Sequence, residues 1–169
     1  MTMPFTIRPF DPSRDEAAAL AFIDGSQAYE SKLEPDRRVD ATVAHDHFEW
    51  LMEQVEKKSG RIFVAEEDGR AVGWAVFFVA QNLVFVVEGE RTFGYVSELF
   101  VAEEARSRGV GRALIDACEI YARELGLGHI MIGVLAKNIR AASIYALAGY
   151  EPYTIEMRKY LKRRLCPGE

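Results

Sequence analysis

The residues best suited to chemistry are Glu98 and a basic, glycine-containing run that begins eight positions later. That run, Arg106-Ser107-Arg108-Gly109-Val110-Gly111-Arg112, opens a long amphipathic segment. The first four N–H groups of a helix have no partner within it, and the helix dipole adds partial positive charge there. Glycine at 109 and 111 removes Cβ atoms that would hold an anion away, while Arg106, Arg108 and Arg112 add charge. The expected ligand is a diphosphate. The spacing Arg-x-x-Gly-x-Gly is not the Gly-x-Gly-x-x-Gly of dinucleotide folds, and no Gly-Lys-Ser/Thr follows to make a P-loop. A plain basic helix start would use the same residues, so the run alone leaves both readings open.

A second run carries the argument further. Val134-Leu135-Ala136-Lys137-Asn138-Ile139-Arg140-Ala141-Ala142-Ser143-Ile144-Tyr145 is followed by Gly149-Tyr150. The first run, preceded by Glu98-Leu99-Phe100-Val101, resembles the acetyl-CoA pyrophosphate signature of the GNAT superfamily of N-acetyltransferases. The second resembles that family's later cofactor motif, in the family's order and at its usual separation. Together they cover about residues 95–153.

The resemblance implies a single mixed α/β (α+β) domain over residues 1–169, with a mostly antiparallel central sheet, a splayed parallel strand pair and flanking helices. Acetyl-CoA would be the cosubstrate, with no metal. Backbone groups of Leu99, Phe100 and Val101 would bond the pantetheine amides. Arg106, Ser107, Arg108, Gly109, Val110, Gly111, Arg112 and Ala113 would surround the pyrophosphate. Asn138, Ala142 and Tyr145 would approach from the other side. Tyr145, seven positions after Asn138, matches the tyrosine that protonates or hydrogen-bonds the departing sulfur. Glu98 stands where several members carry a glutamate that takes the amine's proton directly or through water; strand alternation would equally let it point away. The segment 26–40 would form a wall of the acceptor site, with Tyr29, Glu30 and Glu34 as candidate contacts. A charged stretch around Pro35 would equally make a solvated loop. Family members often dimerise, so a homodimer is expected, and the acceptor would be a small-molecule or peptide amine. The alternatives are a GNAT-fold acyl-CoA sensor without turnover and an unrelated nucleotide-binding domain.

The chemistry asks for a base. An alkylammonium has a pKa of about 10, so at neutral pH only about one molecule in a thousand is free amine. Acetyl transfer to nitrogen also needs a polarised carbonyl and a proton for the leaving thiolate.

The elements that must position these groups follow from periodicity. Residues 5–10 alternate as an opening strand, and 11–15 carry cap and turn residues before an Ala/Leu-rich helix that Gly25 is expected to interrupt or end. Residues 42–57 read as an amphipathic helix. His45 and His47 lie two apart on different faces of it, which argues against a shared metal and for structural or solvated roles. An antiparallel meander is expected over 61–101, with Asp68-Gly69 as a hairpin turn. The apolar run 83–87 would be core or an interface. Val110, Leu114, Ala117, Tyr121 and Leu125 form the stripe of the helix after the cradle. A strand at 129–135, a helix at 140–148 and a last strand at 153–161 complete the order.

Composition bounds the rest. The chain of 169 residues is 49% hydrophobic and 28% charged, as in a globular domain. A net charge of −5 gives no reason to expect nucleic-acid binding, and the cluster Lys159, Lys162, Arg163, Arg164 reads as a solvated end. No apolar run approaches the ~18 residues of a membrane span and no signal pattern opens the chain, so no membrane association and a cytoplasmic location are expected. Cys118 and Cys166 lack the spacing of a zinc or disulfide framework.

Overall fold

A computed structural model describes residues 5–161. Strand β1 (Thr6–Pro9) leads directly into helix α1 (Pro12–Glu30). Asp11 caps α1 by accepting from the Ser13 N–H at 2.9 Å, and Pro12 sits in the first turn, where its missing N–H costs nothing. The junction is locked by Asp15, only 3% exposed, which accepts from Arg8 Nη1 and Nη2 at 2.6 and 2.8 Å and from the Asp11 N–H at 2.9 Å. The Arg8 guanidinium holds the Asp15 carboxyl below the usual carboxylate range, against the opposing effect of burial.

Helix α2 (Val43–Lys57) follows, then strands β2 (Arg61–Glu67), β3 (Arg70–Gln81) and β4 (Thr92–Val101), helix α3 (Val110–Glu124), strand β5 (Ile130–Ile132) and helix α4 (Ile139–Leu147). The sheet order is β1-β2-β3-β4-β5, antiparallel except for the parallel β4/β5 pair. The β2–β3 turn uses Asp68 and Gly69 at φ 48° and 75°, the left-handed pair that a tight hairpin needs.

The period of two in β2 to β4 sends apolar side chains to both faces. One face, with Phe63, Ala65, Ala75, Phe77 and Val96, packs on Val110, Leu114, Cys118 and Ala122 of α3. The other, with Ile62, Trp74 and Val76, packs on Ala19, Phe22 and Ile23 of α1 and Ala44, Phe48 and Leu51 of α2. The buried stripe of α3 is thus Val110, Leu114, Ile115, Cys118 and Ala122; Leu125 lies at its exposed edge.

A bulge in β4 decides what the sheet presents. Val76 pairs with Glu98 but Phe77 pairs with Val96, so Ser97 is the extra residue. Antiparallel partners share a face, so Tyr95 (opposite Phe78) and Glu98 (opposite Val76) project to the α1/α2 side although three positions apart.

Several expectations are corrected. Gly25 does not end α1, which runs through it to Glu30; a Cβ there would lie 2.8 Å from Phe100 Cζ, so the glycine admits a ring rather than a turn. The strand expected at 129–135 pairs only over Ile130–Ile132. The expected last strand does not form: residues 151–160 are irregular and exposed, with no ladder partner among the described residues. Leu83, Val84, Phe85 and Val87 are exposed, so that run is not core. Arg163, Arg164, Lys162 and Cys166 lie outside the described residues. Among the described residues no helix is long and apolar enough to cross a membrane.

Candidate active site

The cradle begins where two strands part. The β4/β5 ladder ends at Val96/Ile132, whereas β4 continues beside β3 as far as the Gly73/Val101 pair. Residues 97–101 therefore have β3 on one edge and no strand on the other. The open edge holds Leu99, Phe100 and Val101, each half-buried. Gly133 lets the departing chain pass Tyr95, whose hydroxyl would lie 2.8 Å from a Cβ at that position.

Beyond Val101 a short turn, Glu103–Ala105, brings Arg106 back. Its Nε donates to the Val101 carbonyl at 2.9 Å and its guanidinium lies 5.8 Å from the Phe100 ring centroid. Ser107 and Gly109 take φ 60° and 86°, and Gly109 caps α3 without any side-chain hydrogen bond. The Ala113 N–H is bonded to the Gly109 carbonyl at 3.0 Å, so the earlier amides of Val110, Gly111 and Arg112 fall in the unpartnered first turn. A Cβ at Gly109 would meet nothing within 4 Å, and at Gly111 only Val101 Cγ2 at 3.7 Å. Gly109 is thus required by its backbone conformation, and the space in front of the amides is open. Arg108 is held by Glu67, Nη1 to Oε2 at 3.0 Å, and Arg112 Nε by Asp116 at 2.8 Å.

Asn138 caps α4, its Oδ1 accepting from the Ala141 N–H at 3.1 Å. Ala142 is exposed one turn along, and Tyr145 is half-buried with its ring 6.3 Å from that of Tyr150. Burial first, then the nearby Glu30 and Glu98 carboxylates, pushes the Tyr145 phenol up to about 12. The two candidate catalytic side chains therefore share one electrostatic neighbourhood.

A second part of the candidate site is built from α1, α2 and the loop between them. Oε1 of Glu98 lies 2.7 Å from Nε2 of His47. The His47 ring stacks on Trp50, with centroids 5.7 Å apart and planes 10° from parallel. Trp50 in turn meets Phe78 edge-on, and Phe78 packs against Tyr95. A cleft of about 420 Å³ is lined by Gln27, Asp36, Arg37, Asp46, His47 and Trp50, among others. Burial pushes the Glu30 carboxyl above its ordinary range, opposed by Arg37 and reinforced by Glu98. Glu34 accepts ion pairs from Lys137 at 3.1 Å and Arg158 at 2.6 Å, and Arg158 also pairs with Asp36. Those pairs tie the α1–α2 loop to the chain after β5 and to the C-terminal segment. Tyr29 is exposed at the end of α1.

The structure therefore gathers Glu98, Glu30 and Tyr145, leaves Tyr29 at the surface, and commits Glu34 to two cations of the chain. The spacing of His45 and His47 left His47 as a structural or solvated residue. Its contact with Glu98 spans 51 positions, and the one local signal for it was Trp50, three residues on and so on the same helix face. His45 is exposed, as expected.

Residues 21–150 match the acetyltransferase (GNAT) family. The chain belongs to this family. Among its curated members the chain is similar to an uncharacterized N-acetyltransferase of Methanocaldococcus jannaschii, 33% identical over 106 residues, covering 62% of this chain and 44% of that protein. It is also similar to a mycothiol acetyltransferase of Thermobispora bispora, 27% identical over 164 residues, covering 89% of this chain and 48% of that one. The chain thus spans about half the length of these two relatives. A Bacillus halodurans protein solved in mutant form shares the fold with a TM-score of 0.80, at 21% identity, over 93% of this chain and 99% of that one.

Proposed function

We propose that the protein is an acetyl-CoA-dependent N-acetyltransferase that acts on a primary amine of a small molecule or peptide by direct attack in a ternary complex. The observation that carries this reading is the open edge of β4 at residues 97–101, which leads from Glu98 to the unpartnered amides behind Gly109. An extended amide chain ending in a diphosphate has the hydrogen-bonding pattern to occupy both. The cradle fits such a group because Gly109 is left-handed, no side chain caps the helix and the space before it is open.

In this reading Leu99, Phe100 and Val101 hold the pantetheine amides through their backbone. Residues 106–113 hold the pyrophosphate, with Arg106 shaped by Val101 and Phe100, and Asn138 and Ala142 border it from α4. Acetyl-CoA supplies the activated acyl group. Glu98 takes the ammonium proton, directly or through water, and the free amine attacks the thioester carbonyl carbon. The C–N bond forms, the C–S bond breaks, and the phenol of Tyr145 gives its proton to the thiolate. The second nitrogen proton restores the phenol. A phenol raised to about 12 stays protonated until the sulfur leaves; a thiolate, with a thiol pKa of about 8.5, is the weaker base, so the transfer runs in concert with the acidic second nitrogen proton that refills the phenol. The acceptor enters through the cleft between α1 and α2, which Asp36, Asp46, Arg37 and Arg38 line; Glu30, within electrostatic reach of His47 and Glu98, favours a cation when it is ionised.

The test is a mass-spectrometric screen of acetyl transfer from acetyl-CoA to polyamines, aminoglycosides, amino acids and peptides, with Tyr145→Phe beside the wild type. Mass detection avoids thiol dyes, which also read a protein's own cysteines; Cys118 is buried, and burial pushes its thiol up to about 12. An acetylated product much reduced in the variant is expected. Tight acetyl-CoA binding with no product from any class would favour a non-catalytic acyl-CoA-binding role instead.

A further inference from the structure

Glu98 is not alone in the site. His47 comes from a different element, lies beside the carboxylate and lines the cleft through which an acceptor would enter. An ionised carboxylate can only accept, so the 2.7 Å contact calls for a ring proton on Nε2, and in the neutral ring that tautomer has its lone pair on Nδ1. The side chain of His47 is 27% exposed and that of Glu98 is 17%, so the imidazole is the more open member of the pair. Stacking on Trp50 fixes the plane of the ring. A neutral imidazole with one nitrogen held by a carboxylate and the other free is the arrangement of a general base whose charged form is stabilised as it appears.

We propose that His47, oriented by Glu98, is the group that takes the first proton from the acceptor amine. The proposal rests on the acetyltransferase reading of the same site and changes which atom accepts the proton. The ammonium gives its proton to Nδ1 of His47, producing an imidazolium paired with the Glu98 carboxylate. The neutral nitrogen forms the C–N bond, the C–S bond breaks, and the thiolate is protonated by Tyr145 as before. The imidazolium releases its proton through the cleft. The charged groups that face the same cleft are Asp36, Arg37 and Arg38 from the α1–α2 loop and Asp46 from the helix of His47 itself, and Glu30 of α1 lies within electrostatic reach of the ring. Tyr95 from β4, Tyr145 from α4 and Glu156 from the C-terminal segment act on Glu98 or its surroundings.

The first experiment needs no acceptor. Long-range proton–nitrogen spectra of the full chain read the tautomer of each of its three histidines, assigned with His47→Gln. His47 is expected as the Nε2–H form in the wild type and as a tautomer mixture in Glu98→Ala; an Nδ1–H form in the wild type would overturn the proposal. The second uses acetyl-CoA with spermidine, an aminoglycoside and a lysine peptide as acceptor probes. His47→Gln and His47→Ala are expected to lower kcat/KM by about a hundredfold, with acetyl-CoA affinity and thermal melting unchanged. The acidic limb of the pH profile should disappear with them, and free imidazole should restore His47→Ala by roughly tenfold. If Glu98→Gln is inactive while both His47 variants keep wild-type rates and pH profiles, the proton goes to Glu98 and this assignment falls, with the acetyltransferase reading intact. If wild-type protein acetylates none of the probes although His47 shows the Nε2–H form and acetyl-CoA binds, the function reading fails and takes the base assignment with it.

Discussion

Gly25, inside α1, faces the ring of Phe100 on β4 so closely that a Cβ on the glycine would lie 2.8 Å from Cζ and 3.1 Å from Cε2. The ring is held from other directions by Phe22, whose centroid is 5.4 Å away, and by the Arg106 guanidinium. One missing methyl group therefore sets how near α1 comes to the strand that carries Glu98. In an isolated helix, alanine would be favoured over glycine by about 1 kcal/mol. Here Gly25→Ala is expected to destabilise by about 1 kcal/mol net, because displacing a packed ring costs ~1–3 kcal/mol and outweighs the helical gain. Urea unfolding of the variant beside the wild type reads the sign, and a higher midpoint would show that the ring yields freely.

Tyr145 carries a second expectation. Raising the pKa of a neutral acid extends the pH range over which it keeps its proton, and this phenol is pushed up to about 12. Activity should therefore show no basic limb from Tyr145 near the ordinary tyrosine value of about 10. Tyr145→Phe should lower kcat by about tenfold or more and leave acetyl-CoA affinity within a few-fold. An unchanged kcat would remove the tyrosine from the proton path.

Glu30 and Glu34 are separable by substitution. Glu30 is pushed above the ordinary carboxylate range by burial, so it is neutral at low pH and becomes anionic only above its raised value. A cationic acceptor should bind more tightly as pH rises through that value, and Glu30→Gln should raise acceptor KM several-fold and flatten the dependence. Glu34 is already paired with Lys137 and Arg158, so Glu34→Gln should act by releasing the loop, detected as faster amide exchange over residues 31–42. Acceptor KM unchanged in both variants would take this segment out of the acceptor site.

Asp15 and Arg8 govern acid stability. The carboxyl of Asp15 is held below its unfolded value of 3.8, so its contribution is fully present above that pH and is lost as pH falls through the lowered value. Asp15→Ala leaves a largely buried guanidinium with only Glu66 opposite it and is expected to cost about 3 kcal/mol at neutral pH. The difference between variant and wild type should shrink towards pH 2, which unfolding curves at two pH values would show.

The sequence by itself determined what local physics decides. The Asp68-Gly69 hairpin, the amphipathic periods of α2 and α3 and the glycine-containing start of α3 follow from residue types at short spacing, whereas the left-handed turn at Gly109 was seen only in the structure. The cradle was legible for the same reason, since a helix start and its glycines are contiguous in the chain. Only the tertiary structure decided the rest. Ser97 bulges because β3 and β4 pair in a particular register, and that extra residue turns Glu98 and Tyr95 to one face. Gly25 stays helical because Phe100, 75 positions later, fills its missing side chain. His47 joins the site because α2 packs on β3, whose Val76 pairs with Glu98, and Glu34 is occupied because Arg158 returns to it over 124 positions. Residues 153–161 alternate like a strand, yet alternation describes only a face; a strand also needs a neighbour's N–H and C=O groups, and none of the described residues supplies them there.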